Sequence, residues 1–222
     1  MPIKNLPPWL PYVAPFALFL LLTTLESLVP EPLFPWAYAV KVVLVGGLLL
    51  ALRGNFPEAR PGGNGWALAT ISGMVLCVLW VVIDKHTPHF AFLEARRGYN
   101  PAIEIGTSAG VWAFLAVRFF GLVVIVPFAE ELFYRGFLLK FVTDPDDFQR
   151  VPTGAFSALA LLVNVVLFAL SHPEWLAAAA FALALCLLLR FTKNLFACVL
   201  AHAVTNLMLG VYIVQTGQWQ YW

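Results

Sequence analysis

The chain has 222 residues, of which 61% are hydrophobic and only 11% are charged, and its formal net charge at pH 7 is +1. A soluble domain has about 25% charged residues, so this chain has too few to cover a surface that faces water. The composition therefore predicts an integral membrane protein. The small net charge and the lack of a basic run give no reason to expect nucleic acid as a partner.

The apolar segments predict eight hydrophobic helices, since a spanning helix needs about 20 mostly apolar residues. In chain order they cover residues 9–28, 37–52, 66–83, 108–126, 128–142, 153–170, 175–189 and 195–214. The polar segment 84–106 is expected to be an extramembrane loop. The predicted fold class is all-α, a polytopic transmembrane helical bundle, with one integral membrane domain over residues 1–222. The motifs described below lie in a core of about residues 108–214.

A proline and a lysine, Pro127 and Lys41, affect where the predicted spans begin and end. A single helix over residues 109–143 would be about 52 Å long, too long for one crossing. We expect Pro127 to break it, because proline removes a helical hydrogen bond and clashes with the preceding turn. Lys41 lies close enough to one end of its helix for the amine to extend toward the membrane interface.

Adjacent carboxylates follow the proline. On a helix, Glu131 and Arg135 share one face, with the acid on the N-terminal side, which is the favourable order for an ion pair. Glu130 lies about 100° around the helix from Glu131, so this pairing leaves Glu130 unexplained. An ionisable residue at membrane depth is by default a functional-site hypothesis.

Three further polar residues interrupt apolar helices near their ends. His172 closes the stretch 168–172, and His202 and Asn206 lie four residues apart on one face of the last helix. If these residues meet Glu130, a carboxylate and an imidazole can activate water while another imidazole and an amide donate to an oxyanion. Alternatively, Glu130, His172 and His202 could hold a zinc ion with one position open for water. Both arrangements predict peptide-bond hydrolysis, and the residues alone do not choose between them.

The depth of the two histidines is an obstacle to this convergence. The helix that separates them is about 22 Å long, whereas His202 lies only about 12 Å along the next helix from Asn194. Straight packing would leave the imidazoles at different depths. We therefore expect either a tilted helix or His172 on a turn that dips into the bundle, which Pro173 favours.

Arg118 is a charged residue well inside a predicted span. It is expected to face the interior, where it would pair with Glu26, Glu130 or Glu131, or hold a substrate carboxylate. A structural ion pair is the favoured interpretation.

Three motifs in the second half of the chain carry a family resemblance. In order they are Glu130-Glu131-x-x-x-Arg135, Phe168-x-x-x-His172 and His202-x-x-x-Asn206. Together they resemble the CAAX protease and bacteriocin-processing family, also called the ABI family, whose members are intramembrane endopeptidases related to the Ras-converting CAAX protease. Glu131 and Arg135 match the supporting positions of the first motif.

The resemblance implies roles for the other four residues. Glu130 and His172 would activate the attacking water, and His202 and Asn206 would stabilise the tetrahedral oxyanion. Family members are described both as metalloproteases and as glutamate-dependent proteases, so a zinc cofactor stays open. The implied partners are the lipid bilayer and a membrane-associated protein or peptide substrate. No prenyl pocket is identifiable.

The length and N-terminal layout are also similar to a bacterial subgroup labelled CAAX prenyl protease-related, found alongside exosortase sorting systems. The expected location is therefore the bacterial cytoplasmic (inner) membrane. If the helix over residues 128–142 does not cross the membrane, the positive-inside rule weakly favours cytoplasmic placement of one set of cations over the set Lys85, Arg96 and Arg97. The first set is Lys4, Arg53, Arg60, Arg150, Arg190 and Lys193.

Two other functional classes are weighed against a peptidase. The first is a catalytically silent membrane scaffold or immunity-type factor with the same fold, which the complete motif set disfavours. The second is a small-solute or proton-coupled transporter, which would show paired half-helices in corresponding positions of two halves. No such symmetry is visible in the sequence.

Overall fold

The computed structural model describes residues 3, 5–90, 93 and 98–222. Within these ranges all regular structure is helical, and six helices are long and apolar enough to cross a membrane, which confirms the predicted fold class. The apolar helices are α1 (Leu10–Ser27), α2 (Phe34–Leu52), α3 (Trp66–Lys85), α4 (Ser108–Thr143), α5 (Ala158–Leu170), α6 (Trp175–Thr192) and α7 (Leu195–Thr216). A short helix, Pro101–Glu104, precedes α4. Lys4, Arg96 and Arg97, on which the predicted orientation partly depends, lie outside the described residues.

Helix α4 is continuous over 36 residues and contains two π-helical segments, Gly121–Ile125 and Leu132–Leu138. At about 1.5 Å per residue it is much longer than the hydrocarbon layer of about 30 Å. It must therefore be tilted or extend beyond the apolar region. The stretch between the two π segments, Val126–Glu131, carries both glutamates of the first motif.

The predicted break at Pro127 is wrong, because a π turn immediately precedes the proline. The N–H of Val126 donates to the carbonyl of Gly121, five residues back rather than four. A wider turn changes the hydrogen-bond register where the proline would otherwise clash with a regular α turn. The chain therefore keeps its direction through Pro127.

Helix α5 is shorter than the predicted span 153–170. It begins at Ala158, where the hydroxyl of Ser157 accepts a hydrogen bond of 3.1 Å from the N–H of Ala160. Its 13 residues extend for only about 20 Å, which is too short to cross the hydrocarbon layer. The turn after α5 places His172 against Trp80 of α3, with ring centroids 5.6 Å apart. A turn that dips into the bundle, the second of the two expected solutions, thus brings His172 to the depth of the core.

Helices α3 and α7 are in close contact at Gly73. The hydroxyl of Thr205 on α7 donates to the carbonyl of Gly73 at 3.0 Å. A Cβ atom added to Gly73 would lie 2.5 Å from the carbonyl oxygen of Ala201, a distance that no packing tolerates without backbone movement. Small residues allow this close approach between membrane helices. The contact fixes α7, the helix that carries His202 and Asn206.

We expect Gly73→Ala to destabilise the protein by about 1–3 kcal/mol, because α3 and α7 must separate to admit the methyl group. The measurement is the thermal unfolding midpoint of purified protein in detergent. Gly47→Ala is the matched control, since a Cβ at Gly47 of α2 meets nothing within 4 Å. Equal midpoints for the two variants would show that the close contact at Gly73 does not hold the helices together.

Candidate active site

Glu131 and Arg135 form the ion pair that their spacing predicts. Nη1 of Arg135 lies 3.3 Å from Oε1 of Glu131, and both side chains are fully buried. The guanidinium also donates from Nη2 to the carbonyl of Ala182 on α6 at 3.3 Å and lies over the ring of Phe168 on α5, 4.9 Å from its centroid. One arginine therefore ties α4 to both α5 and α6.

The same glutamate binds a histidine that the sequence analysis did not connect with it. Nδ1 of His202 on α7 lies 2.9 Å from Oε1 of Glu131. A carboxylate can only accept, so Nδ1 of His202 carries the proton in this contact. The imidazole is buried and meets the ring of Phe181 edge-on, with centroids 5.0 Å apart. Glu131 thus orients His202 as well as neutralising Arg135.

Asn206 receives its position from the irregular turn before Pro127. Its Nδ2 donates to the carbonyl of Leu122 at 2.9 Å. In a regular helix Leu122 would accept from the N–H of Val126, but that N–H is directed to Gly121. In the π register the donor would be residue 127, which is a proline and has no N–H. The π turn and the proline together leave one carbonyl for Asn206, and the second Nδ2 hydrogen of Asn206 is not used in this bond.

His172 is held by the end of the preceding helix. Its Nδ1 lies 2.9 Å from the carbonyl of Phe168 and 3.0 Å from the hydroxyl of Ser171. Its ring stacks on that of Phe168 with centroids 4.6 Å apart and an interplanar angle of 21°. A carbonyl oxygen only accepts, so Nδ1 carries the proton and Nε2 keeps its lone pair. This tautomer leaves His172 with a basic nitrogen.

The four residues that the sequence associates with the chemistry line one cavity of about 610 Å³: Glu130, His172, His202 and Asn206. The ring of Phe168 packs against both imidazoles, with its centroid 4.6 Å from that of His172 and 6.5 Å from that of His202. Glu131 and Arg135 do not line the cavity and lie behind its wall. The structure thus brings the predicted residues together, and their catalytic roles remain predictions.

The zinc alternative has a weaker geometric basis. Within the part of the chain that the structure describes, no three His, Cys, Asp or Glu side chains come close enough together to hold a metal ion. In this arrangement Glu130, His172 and His202 do not fit a zinc ion.

The sequence analysis missed Asn164, a fully buried residue of α5. Its Nδ2 donates to the carbonyl of Tyr134 at 2.7 Å, in the second π segment of α4, and its Oδ1 accepts from Cys186 at 3.4 Å. The hydroxyl of Tyr134 lies 3.4 Å from that of Ser171, next to His172. The signal that could have identified Asn164 is an amide side chain in the middle of an otherwise apolar helix.

The expected position of Lys41 is also wrong. Rather than extending toward the interface, the side chain is buried in an ion pair with Glu26 of α1, and both residues line the cavity. Nζ of Lys41 lies 3.3 Å from the hydroxyl of Thr23 and 4.8 Å from the ring centroid of Tyr38. A charged partner on a neighbouring helix lets the lysine remain inside the bundle.

Arg118 faces the interior, as expected, but the structural ion pair favoured for it is not formed. Within the described residues its guanidinium pairs with none of the three predicted glutamates. It lies over two aromatic rings instead, 4.4 Å from the centroid of Tyr38 and 5.2 Å from that of Trp222. Nearby, Tyr221 donates to Asp84 at 2.8 Å. Burial and this hydrogen bond raise the pKa of Tyr221, so its hydroxyl stays protonated at neutral pH.

Comparison with known proteins supports the resemblance seen in the motifs. A family model described as type II CAAX prenyl endopeptidase Rce1-like matches residues 111–208, a segment that contains all six predicted site residues. No curated protein and no solved structure matches the chain. Over these residues the match confirms the suspected resemblance to the CAAX protease family, and the narrower placement in the bacterial subgroup stays a prediction.

We expect Glu131→Gln to destabilise the protein by about 3–5 kcal/mol, because it leaves the buried charge of Arg135 without its counter-ion. Asp147→Asn is the matched control: it breaks the exposed Arg150–Asp147 pair, at 2.8 Å, and should cost less than about 1 kcal/mol. Both values come from unfolding curves in detergent at neutral pH. A Glu131→Gln protein as stable as the control would mean that the buried pair does not organise the bundle.

Proposed function

We propose that this chain, whose residues 111–208 match the Rce1-like CAAX endopeptidase family, is an intramembrane endopeptidase that cleaves a membrane-associated protein or peptide. The observation that carries the proposal is the single cavity shared by Glu130, His172, His202 and Asn206 inside a bundle with six candidate spans. The protein would act in the bacterial cytoplasmic membrane.

The first step is activation of water by Glu130 and His172. The bond from Nδ1–H of His172 to the carbonyl of Phe168 fixes the ring and leaves Nε2 as the base. Water held between Nε2 and the carboxylate of Glu130 loses a proton as its oxygen attacks the carbonyl carbon of the scissile bond. The same pair returns that proton to the leaving nitrogen when the carbon–nitrogen bond breaks. Neither residue is consumed.

The second requirement is stabilisation of the negative oxygen that forms during attack. Asn206 can donate its second Nδ2 hydrogen, because the first is fixed on the carbonyl of Leu122. His202, whose Nδ1 is held by the carboxylate of Glu131, can donate from Nε2 in its imidazolium form. Donors fixed before the reaction are worth about 10²–10³ in rate each. Removing either donor should therefore lower the rate without preventing substrate binding.

The glutamate-dependent mechanism predicts that Glu130→Gln abolishes processing while leaving the fold intact. Wild type and variant would be expressed at matched levels in source cells lacking the chromosomal copy, and new protein termini in the membrane fraction would be identified by mass spectrometry. Wild type should restore a set of termini that Glu130→Gln does not. Glu31→Gln, a change to an exposed glutamate, serves as the control and should behave as wild type. Identical termini with and without Glu130 would favour the silent scaffold.

Metal content separates the two mechanisms that the family allows. Because Glu130, His172 and His202 are not arranged as zinc ligands, we expect purified active protein to contain far less than one zinc ion per chain. Elemental analysis of the detergent-purified protein gives this number. Stoichiometric zinc that is lost in His172→Ala together with activity would establish the metallo-type mechanism instead.

A further inference from the structure

We infer that the cavity has a second, cationic end, at which Arg118 binds a carboxylate of the substrate; the inference deepens the proposed peptidase function and rests on it. Arg118 is only 8% exposed and lines the same cavity as Glu130. Among the residues that the structure describes, its buried Nε has no hydrogen-bond partner. Within the described residues its guanidinium forms no ion pair.

The charges at this end do not cancel. Lys41 is paired with Glu26, which leaves the positive charge of Arg118 in excess among the three buried charged side chains that line this end within the described residues. A buried charge without a counter-ion is costly in free energy. An anion that binds beside Arg118 would offset this cost, which favours its binding. One surplus positive charge matches one carboxylate.

The setting of the guanidinium suits a carboxylate in particular. The rings of Tyr38 and Trp222, with centroids 4.4 and 5.2 Å from the central carbon of Arg118, fix the group by cation–π contact. A guanidinium held in this way can present its planar fork of N–H groups to the two oxygens of a carboxylate. The lysine at this end is already engaged by Glu26 and does not compete for the anion.

The first π segment places the cationic end in line with the reacting groups. In a regular α-helix, Arg118 and Glu130 would differ by about 120° in direction, because twelve residues are not a whole number of turns. The π segment Gly121–Ile125 has wider turns, and the residues between, Leu122 and Val126, line the cavity together with both charged ones. A continuous apolar wall therefore connects Arg118 with Glu130.

This wall sets the spacing between the carboxylate and the scissile bond. Twelve residues of helix correspond to about 18 Å. An extended peptide advances about 3.3 Å per residue, so about five residues would separate the cleaved bond from the bound carboxylate. The substrate class is thus an extended, mostly apolar peptide segment with a carboxylate, terminal or in an acidic side chain, about five residues from the cleavage point.

A binding experiment tests the site without requiring catalysis. The Glu130→Gln protein in detergent would be titrated with an apolar hexapeptide carrying a free C-terminal carboxylate, with its C-terminal amide, and with the amide carrying one internal Asp. The inference is supported if the peptides that carry a carboxylate stabilise the protein against heat and bind about 10- to 100-fold more tightly than the plain amide binds. Adding Arg118→Gln to the Glu130→Gln protein should abolish this preference, and adding Arg118→Lys should reduce it. Arg53→Gln, a change to an exposed arginine, should retain it.

Two outcomes would overturn the inference. The first is equal binding of acid and amide, or a preference that survives Arg118→Gln. The second is Arg118-dependent stabilisation by glycerol 3-phosphate but not by the peptide acids, which would assign this end to a lipid headgroup.

Cleavage of a defined peptide mixture by the wild-type chain tests the spacing separately. Cut sites should lie about five residues from a carboxylate, and Arg118→Gln should scatter them while Arg53→Gln does not. Cut sites with no relation to any carboxylate would overturn the inference. If the binding preference depends on Arg118 but no cleavage depends on Glu130, the carboxylate site at Arg118 is supported and the proposed peptidase function is refuted.

Discussion

The carboxylate of Glu131 is the group on which the arrangement of the cavity depends. It has no exposure, and a charge in such a place is tolerated only with well-placed partners. Its partners are Arg135, one turn further along α4, and His202 on α7, so a single oxygen joins two helices that are distant in sequence. Because Glu130 precedes Glu131 and Asn206 follows His202 by one turn, fixing this contact also fixes two of the residues proposed to react on either side of the cavity.

The two π segments of α4 turn hydrogen-bond irregularities into contacts between helices. Each wide turn changes which carbonyls are satisfied within the helix. In the first segment, Asn206 of α7 donates to Leu122, and in the second, Asn164 of α5 donates to Tyr134. The carbonyl of Leu122 has lost its donor within α4, and lipid offers none, so α7 supplies it. The carbonyl of Tyr134 still accepts from the N–H of Leu139, and Asn164 adds a second bond to it. Two asparagines in apolar helices thus share a structural task, and only Asn206 also lines the cavity.

The features that could be predicted from the sequence are those set by local periodicity. Hydrophobic length gave the helices, and a four-residue spacing gave the Glu131–Arg135 pair, because both depend on residues within a few turns. The partner of Lys41 could not be predicted, since Glu26 lies on another helix and the pairing exists only after the helices pack. The path of α4 through Pro127 was unpredictable for a related reason. A π turn has no hydrophobic signature, and its carbonyl is satisfied by a residue some 80 positions away.

Glu130 and Glu131, at the centre of α4, face different surroundings because consecutive side chains of a helix point in different directions. A step of one residue rotates the side chain by about 100°, so when Glu131 faces the packed interior, Glu130 is turned toward the cavity. Exposure follows this division: Glu131, Arg135 and Asn164 are sealed at 0% and serve the scaffold, whereas Glu130 keeps a small accessible surface on the cavity. A sealed carboxylate has its charge satisfied by protein and cannot reach water. Glu130, beside it on the same turn, is open to the cavity, as the role proposed for it requires.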